Sequence, residues 1–109
     1  MKLYLIRAKS NINAMANYDI ENKCFAVLKG STVSESIAHS EKFRGAKSIE
    51  KARLGVLDGT KLIQDVLFKS SSTAANFVTG ASTNGLTAWK TKDGRTLKEV
   101  LAEMEVNNE

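Results

Sequence analysis

Two lysines and a set of small polar side chains are the residues in this 109-residue sequence whose types are suited to binding phosphate. Lys29 and Lys90 each follow an apolar run, where packing alone gives a weak reason for a lysine. A predicted helix start at 70–73 would add free backbone N–H groups, which attract anions together with the lysines. We therefore expect these groups to converge on one phosphate-binding patch. Its candidate residues are Lys29, Ser31, Ser70, Ser72, Thr73, Asn76, Asn84 and Lys90.

Several of these polar residues also have a structural interpretation. Ser70 and Ser72 are suited to cap a helix, because a serine hydroxyl accepts hydrogen bonds from free backbone N–H groups. Asn84-Gly85 is a turn dipeptide whose two residues tolerate a positive φ. The residues predicted to be structural are Gly80, Gly85 and Trp89, the last as a core anchor.

Catalytic and metal-binding chemistry has little support in the sequence. Cys24 and His39 are the single cysteine and the single histidine, and neither stands in a cluster with the spacing of zinc ligands. Cys24 lies in an apolar run, which indicates a buried thiol, and His39 lies in a polar segment, which indicates a solvated side chain. The sequence has no P-loop, dinucleotide fingerprint or Ser-His-Asp pattern. We expect no catalytic residue, no cofactor and no metal.

Charge is distributed unevenly along the chain, whose formal net charge is +4. Residues 98–109 carry four glutamates against one lysine, whereas residues 1–97 carry 15 basic and 8 acidic residues. A basic body attracts phosphate-rich partners through long-range electrostatics. The length and the apolar fraction of 42% are typical of a single folded domain over 1–109. The lone cysteine and the lack of a signal peptide or membrane span favour the cytoplasm.

Short apolar runs bounded by turn residues predict two strands in the first half of the chain, at 2–8 and 24–29. The residues between them, 9–23, are predicted to be a polar connection. From Ser48 onwards apolar residues recur near helical spacing, which predicts a helix that ends at Gly59. The dipeptide Asp-Gly at that point is also a hairpin signal, so a hairpin is the alternative there.

The middle of the chain predicts a strand, a helix and a second strand in succession. Residues 61–68 are apolar and branched, which favours a strand. Residues 70–78 predict a short helix with Gly80 as its C-terminal cap, and its alanines indicate close packing on a sheet. The Asn-Gly turn then leads into a strand at 86–91.

The end of the chain has the clearest helix pattern. Thr96 and Glu99 have the spacing of a capping box, and apolar residues recur at helical spacing from Leu97 onwards. This pattern predicts an acidic C-terminal helix at 97–106. The fold class is therefore α+β, with a mainly antiparallel sheet of three to four strands packed with two to three helices.

The small and polar residues between Phe68 and Leu97 follow a known order. The runs are Phe68-Lys69-Ser70-Ser71-Ser72-Thr73-Ala74-Ala75, Gly80-Ala81-Ser82-Thr83-Asn84-Gly85, Trp89-Lys90 and Gly94-Arg95-Thr96-Leu97, preceded upstream by Val27-Leu28-Lys29-Gly30-Ser31. This order resembles the family called domain of unknown function 4357, and the resemblance covers residues 24–101. Two positions depart from the family's pattern: Ser71 stands in place of a proline and Leu86 in place of an aromatic residue.

The resemblance implies a DNA-linked accessory role. Members of the family are often attached to GIY-YIG nucleases, and the family is similar to the domain associated with restriction adenine methylases, which is proposed to read modified DNA. For this sequence it implies a noncatalytic nucleic-acid-associated module that acts alone or beside a nuclease or methylase partner. The alternative is a protein-interaction domain with no nucleic-acid contact, in which the acidic C-terminal helix or an exposed sheet edge contacts a partner chain.

Overall fold

A computed structural model describes residues 1–38 and 45–107, and the side chains of residues 1–38 and 45–105. The strands are β1 (Lys2–Arg7), β2 (Ile12–Asp19), β3 (Cys24–Val27), β4 (Leu57–Asp58), β5 (Lys61–Leu62) and β6 (Val66–Phe68). The helices are α1 (Ala46–Arg53), α2 (Ser71–Thr79), α3 (Gly85–Ala88) and α4 (Leu97–Asn107), and a 3-10 turn spans Ala8–Ser10. His39, for which a solvated position is predicted, lies outside the described residues.

The main sheet is antiparallel, with strand order β1-β2-β3-β6, while β4 and β5 form a separate two-stranded ladder. Alternate residues of the main sheet point to one face and are buried there, namely Leu3, Leu5, Ile12, Ala14, Ala16, Phe25 and Val27. Ala74, Phe77 and Leu97 bring α2 and α4 into the same core. The predicted α+β class is therefore confirmed.

The prediction of a polar connection at 9–23 is wrong, because Ile12–Asp19 form β2. This strand pairs with all six residues of β1, and alternate side chains from Ile12 to Ala16 are buried. Alanine and asparagine have low strand propensity, so pairing and burial specify β2 more than its composition does. Asn11 closes the connection from β1 with a left-handed φ of 54°.

Both interpretations of residues 48–59 are partly right. A helix forms, but it spans Ala46–Arg53, and Gly55 has a φ of +76° that a continuing helix does not allow. A hairpin also forms, from β4 and β5. The predicted strand at 61–68 is divided into β5 and β6, which belong to different sheets.

The helix α2 begins after Ser70 and ends before Gly80, two of the predicted capping residues, whereas Ser72, which is also predicted to cap, lies inside the helix. The hydroxyl of Ser70 accepts a hydrogen bond from the N–H of Thr73 at 3.1 Å, and Gly80 ends the helix with a φ of 72°. A side chain at this position would also clash sterically, because a Cβ atom at Gly80 would lie 2.3 Å from the carbonyl oxygen of Ser36. Fully buried alanines, such as Ala74, let α2 lie close to the sheet.

The guanidinium of Arg53 ties α1 to the last turn of α2. It donates to the carbonyl oxygen of Phe77 at 2.6 Å and to that of Ser34 at 3.0 Å, and it lies 5.7 Å from the ring centre of Phe77. Burial lowers the pKa of Arg53, yet a guanidinium keeps its charge at neutral pH. The carbonyl groups at the end of α2 thus receive a charged donor.

The predicted strand at 86–91 is wrong, because Gly85–Ala88 form the single-turn helix α3. The side chain of Asn84 accepts a hydrogen bond from the N–H of Leu86 at 3.0 Å, and the φ of Asn84 is −79°. The Asn-Gly pair is therefore a helix start and not a turn with positive φ. Within the predicted strand, Lys90 forms an isolated antiparallel β-bridge with Tyr4.

The C-terminal helix α4 ends one residue later than predicted, at Asn107. The hydroxyl of Thr96 accepts a hydrogen bond from the N–H of Glu99 at 3.2 Å, as a capping residue does. Leu97 is buried, and Leu101 packs against the core. The predicted cap is thus formed by the Thr96 hydroxyl, and the first part of the predicted apolar stripe faces the core, whereas Met104 at its end is 38% exposed.

Ser71→Pro is expected to stabilise the protein. Ser71 is the first residue of α2, where the fixed φ of proline fits a helix, and the preceding Ser70 has extended angles of −141° and 154° that a following proline tolerates. Lower entropy of the unfolded chain gives about 0.4–1 kcal/mol, measurable by urea denaturation.

The matched control is Thr73→Pro, which removes the N–H that binds the hydroxyl of Ser70 and must destabilise the protein. A Ser71→Pro variant that is no more stable than the unmodified protein would contradict this account of the helix start.

Candidate functional site

The candidate site is built on a close backbone contact between α3 and the first turn of α2. A Cβ atom at the buried Gly85 would lie 2.2 Å from the carbonyl carbon of Ser71 and 2.4 Å from the backbone nitrogen of Ser72. Glycine alone permits this approach. The N–H of Gly85 also donates to the hydroxyl of Ser72 at 3.1 Å. The position of α3 is therefore fixed by α2.

Trp89 follows α3 and also contacts the first turn of α2, from within the core. Its side chain is fully buried, and its ring centre lies 5.0 Å from that of Phe25 on β3. The indole Nε1–H donates to the carbonyl oxygen of Ser71 at 3.0 Å. The ring therefore joins the start of α2 to the main sheet and is not exposed to a ligand.

Lys90 comes next and extends the outer edge of β1. Its N–H donates to the carbonyl oxygen of Tyr4 at 2.9 Å, and the N–H of Tyr4 donates to the carbonyl oxygen of Lys90 at 2.7 Å. A tight loop follows, closed by a 2.8 Å hydrogen bond from the N–H of Thr91 to the carbonyl oxygen of Arg95. This loop is thereby held beside β1.

A cleft of about 770 Å³ lies between β1 and the segment that Lys90 attaches to it. One wall is β1 from Tyr4 to Arg7. The opposite wall consists of residues 82–84, the end of α3, and residues 90–92 with Gly94. We call this site the basic cleft, for the side chains that line it.

Among the described residues that line the basic cleft, three are cationic and none is acidic. Arg7 stands on the β1 wall, and Lys90 and Lys92 stand on the opposite wall. All three are exposed, and none forms a salt bridge with a carboxylate of the described residues. Arg95, in the same loop, is instead paired with Glu103 at 2.5 Å. The cleft therefore presents unneutralised positive charge.

The one carboxylate of the loop, Asp93, is hydrogen-bonded to other residues of the same loop. It accepts hydrogen bonds from the hydroxyl of Thr91 and from the guanidinium of Arg95, the latter at 3.1 Å. The Thr91 hydroxyl, followed by the charge of Arg95, holds the pKa of Asp93 below its ordinary value. Asp93 does not line the cleft.

Side chains of α2 fix the cleft wall at 82–84 through hydrogen bonds. The side-chain oxygen of Asn76 accepts a hydrogen bond from the N–H of Thr83 at 2.8 Å, and the hydroxyls of Thr79 and Thr83 lie 2.7 Å apart. Ser72 holds Gly85, the residue that follows this wall in the chain, by accepting a hydrogen bond from its N–H. Ser72 and Asn76, both predicted to bind nucleic acid, thus position the wall of the cleft.

The structure divides the predicted phosphate-binding residues. Asn84 and Lys90 line the basic cleft. Ser70 and Thr73 lie at the start of α2, where their hydroxyls are 2.8 Å apart and exposed. Asn84 and Lys90 therefore belong to the cleft, whereas Ser70 and Thr73 belong to a helix cap outside it.

Ser31 and Lys29 do not reach the cleft. Ser31 is fully buried, and its hydroxyl accepts from the N–H and donates to the carbonyl oxygen of Met15, at 2.9 and 3.2 Å. Lys29 is exposed after β3, where its N–H donates to Asp65 at 2.7 Å. Because β3 and β6 are antiparallel, Lys29 and Ser70 lie at opposite ends of that strand pair. The predicted convergence on one patch is therefore wrong.

Arg7 and Lys92 also line the cleft, although neither is among the residues predicted from the sequence. Lys92 stands two residues after Lys90, and residues so spaced share a side of an extended segment. That spacing is a signal for pairing the two lysines. No local sequence signal associates Arg7 with these lysines, because Arg7 is 83 residues from Lys90 in the chain. The two come together because Lys90 pairs with Tyr4 on β1, the strand that Arg7 ends.

The described residues also contain other candidate features. Two further hollows have volumes of about 450 and 360 Å³. Within residues 1–38 and 45–107, no three histidine, cysteine, aspartate or glutamate side chains are grouped so that they could hold a metal ion. The same residues include no helix with both the length and the apolar character needed to cross a membrane.

These features define a small α+β domain with a basic cleft at one edge of its sheet. Residues 6–101 match the family described as Domain of unknown function (DUF4357), and the chain belongs to that family. The match begins upstream of the resembling region at 24–101 and includes Arg7 of the cleft. Neither a curated protein nor a solved structure matches the chain.

Trp89→Ala is expected to destabilise the protein by about 3–5 kcal/mol, because it removes a fully buried ring and leaves a cavity. Trp89→Phe keeps an aromatic ring but loses the indole N–H, so it leaves the Ser71 carbonyl without this donor and costs about 1–3 kcal/mol. Urea denaturation monitored by circular dichroism measures both values.

The comparison of the two variants separates packing from hydrogen bonding. An alanine variant that unfolds at the same urea concentration as the unmodified protein would show that Trp89 is not the core anchor described here.

Proposed function

We propose that this protein is a noncatalytic nucleic-acid-binding accessory module and that the basic cleft holds the phosphate backbone of its ligand. The observation that carries the proposal is the set of three exposed cations, Arg7, Lys90 and Lys92, on the two walls of one cleft. No acidic residue lines this cleft in the part of the chain that the structure describes. Phosphodiester chains are the common cellular ligands with repeated negative charge. The proposal thus rests on charge complementarity within a defined concave site.

Phosphate suits the chemistry of these walls. Arginine presents a planar fork of N–H donors to phosphate oxygens, and lysine presents a point charge. Ser82, Asn84 and Thr87 add neutral hydrogen-bonding groups, which suit sugars and base edges. With three phosphate contacts, the logarithm of affinity should fall with that of salt concentration with a slope of about −2 to −3.

We propose that a nuclease or methylase partner in the cytoplasm supplies further affinity. Three cations on a small domain give weak binding, about micromolar or looser at physiological salt. Attachment to an enzyme raises the effective concentration of the second binding event, so weak modules become useful in pairs. The resemblance to domains attached to GIY-YIG nucleases and associated with restriction adenine methylases supports this kind of partner.

A second candidate function is protein binding through the open face of the main sheet. Leu67 is 66% exposed, and Ile6, which also lines the basic cleft, is 62% exposed. Each alternates along its strand with residues that pack into the core. They therefore lie on the face opposite the helices. An apolar interface on this face would depend weakly on salt, which distinguishes it from phosphate binding.

Lys90→Ala and Lys92→Ala are each expected to weaken the binding of a fluorescein-labelled oligonucleotide and to reduce the salt slope by about one unit. Fluorescence anisotropy over a range of salt concentrations measures both effects. The matched control is Lys69→Ala, since Lys69 is also an exposed lysine but follows β6 at the opposite edge of the sheet.

Equal losses in all three variants would mean that binding follows net charge alone and not the cleft. Binding that does not change with salt would favour the protein-interaction candidate instead.

A further inference from the structure

We propose that the ligand of the basic cleft is a single strand of nucleic acid, and that this strand continues past Arg7 into a second hollow beside Lys9. The inference rests on the proposed function and adds to it the form of the ligand and its path. It also assigns a binding role to Lys9, which lies outside the cleft.

The second hollow has a volume of about 360 Å³, and part of its lining, residues 9–12, follows the β1 wall of the basic cleft in sequence. Both hollows include Arg7 in their lining, so the two sites adjoin at this residue. Arg7 ends β1, and the 3-10 turn Ala8–Ser10 places the exposed Lys9 in the second hollow. The cations therefore form a path from Lys92 and Lys90 through Arg7 to Lys9.

Both parts of this path combine positive charge with small hydrogen-bonding side chains. The second hollow contributes Ser10, Asn11 and Ser36, which match in type the serine, asparagine and threonine of the cleft. Tyr4 adds an aromatic ring to the lining of the cleft. A positively charged groove with an aromatic side chain is the arrangement that binds single strands with little sequence preference.

Concave sites of this kind favour a single strand over a duplex. Many proteins that read the sequence of a duplex insert an α-helix or a β-ribbon into its major groove. The helix that lines the cleft, α3, is four residues long and has no charged side chain, and α2 behind it has none either. The bases of a single strand are unpaired and can enter the hollows directly.

Glu35 allows a test in which binding improves. It lines the second hollow and is exposed, so a strand that passes there meets one negative charge. Removing that charge relieves repulsion from the phosphates, whereas it has no effect on a strand confined to the basic cleft. A gain in affinity cannot be produced by misfolding.

The experiment compares a labelled single strand of about eight nucleotides, the duplex of the same sequence and a dinucleotide, over a range of salt concentrations. We expect the single strand to bind roughly tenfold more tightly than the duplex, the equivalent of one base–aromatic stacking contact. Lys9→Ala should reduce the salt slope for the longer single strand by about 0.7 and leave the dinucleotide unaffected. Glu35→Gln should tighten the longer strand roughly two- to fivefold.

The outcomes separate this inference from the proposed function. If the duplex binds at least as tightly as the single strand, or if Lys9→Ala and Glu35→Gln change nothing while Lys90→Ala weakens binding, the path described here is wrong and the nucleic-acid function stands. If no oligonucleotide binds in a salt-dependent manner, both are wrong. Lys69→Ala again serves as the control and should leave all three ligands unaffected.

Discussion

The contact between Gly85 and the first turn of α2 is the constraint on which the rest of the site depends. Because this position carries no side chain, α3 packs directly on the backbone of Ser71 and Ser72. Trp89 then enters the core with its indole N–H on the Ser71 carbonyl, and Lys90 is laid against the edge of β1. The residues that anchor the core and the residues that line the cleft are therefore consecutive in the chain, so the packing of the core determines the shape of the site.

Most of the runs that carry the family resemblance are explained by this architecture. Ser70 caps α2, Asn76 holds the backbone of the cleft wall, and Gly80 ends α2 in a conformation and a space that exclude a side chain. The positive charge of the cleft comes largely from outside those runs, from Arg7 and Lys92.

The parts of the fold predicted from sequence are those with local chemical signals. Caps and apolar spacing predict α2 and α4 because these signals act within a few residues. The strand β2 is missed because its alanines and asparagines depend on pairing with β1. The helix α3 is missed because Asn84-Gly85 has the residue types of a turn as well as of a helix start, and the packing of Gly85 on α2 is a tertiary contact. In the same way Asn84 and Lys90 are found among the site residues, while Arg7 joins them only through the tertiary fold.

The central claim is that the basic cleft is the surface that binds nucleic acid. Backbone amide chemical shifts, followed by NMR while a short single strand is added at low salt, test it most directly. We expect the shift changes to concentrate on residues 4–7, on Asn84 and on residues 90–92, while the amides of α4 and of the exposed Leu67 remain unchanged. Shifts confined to the acidic helix α4 or to the open sheet face around Leu67, with none along the cleft, would contradict it.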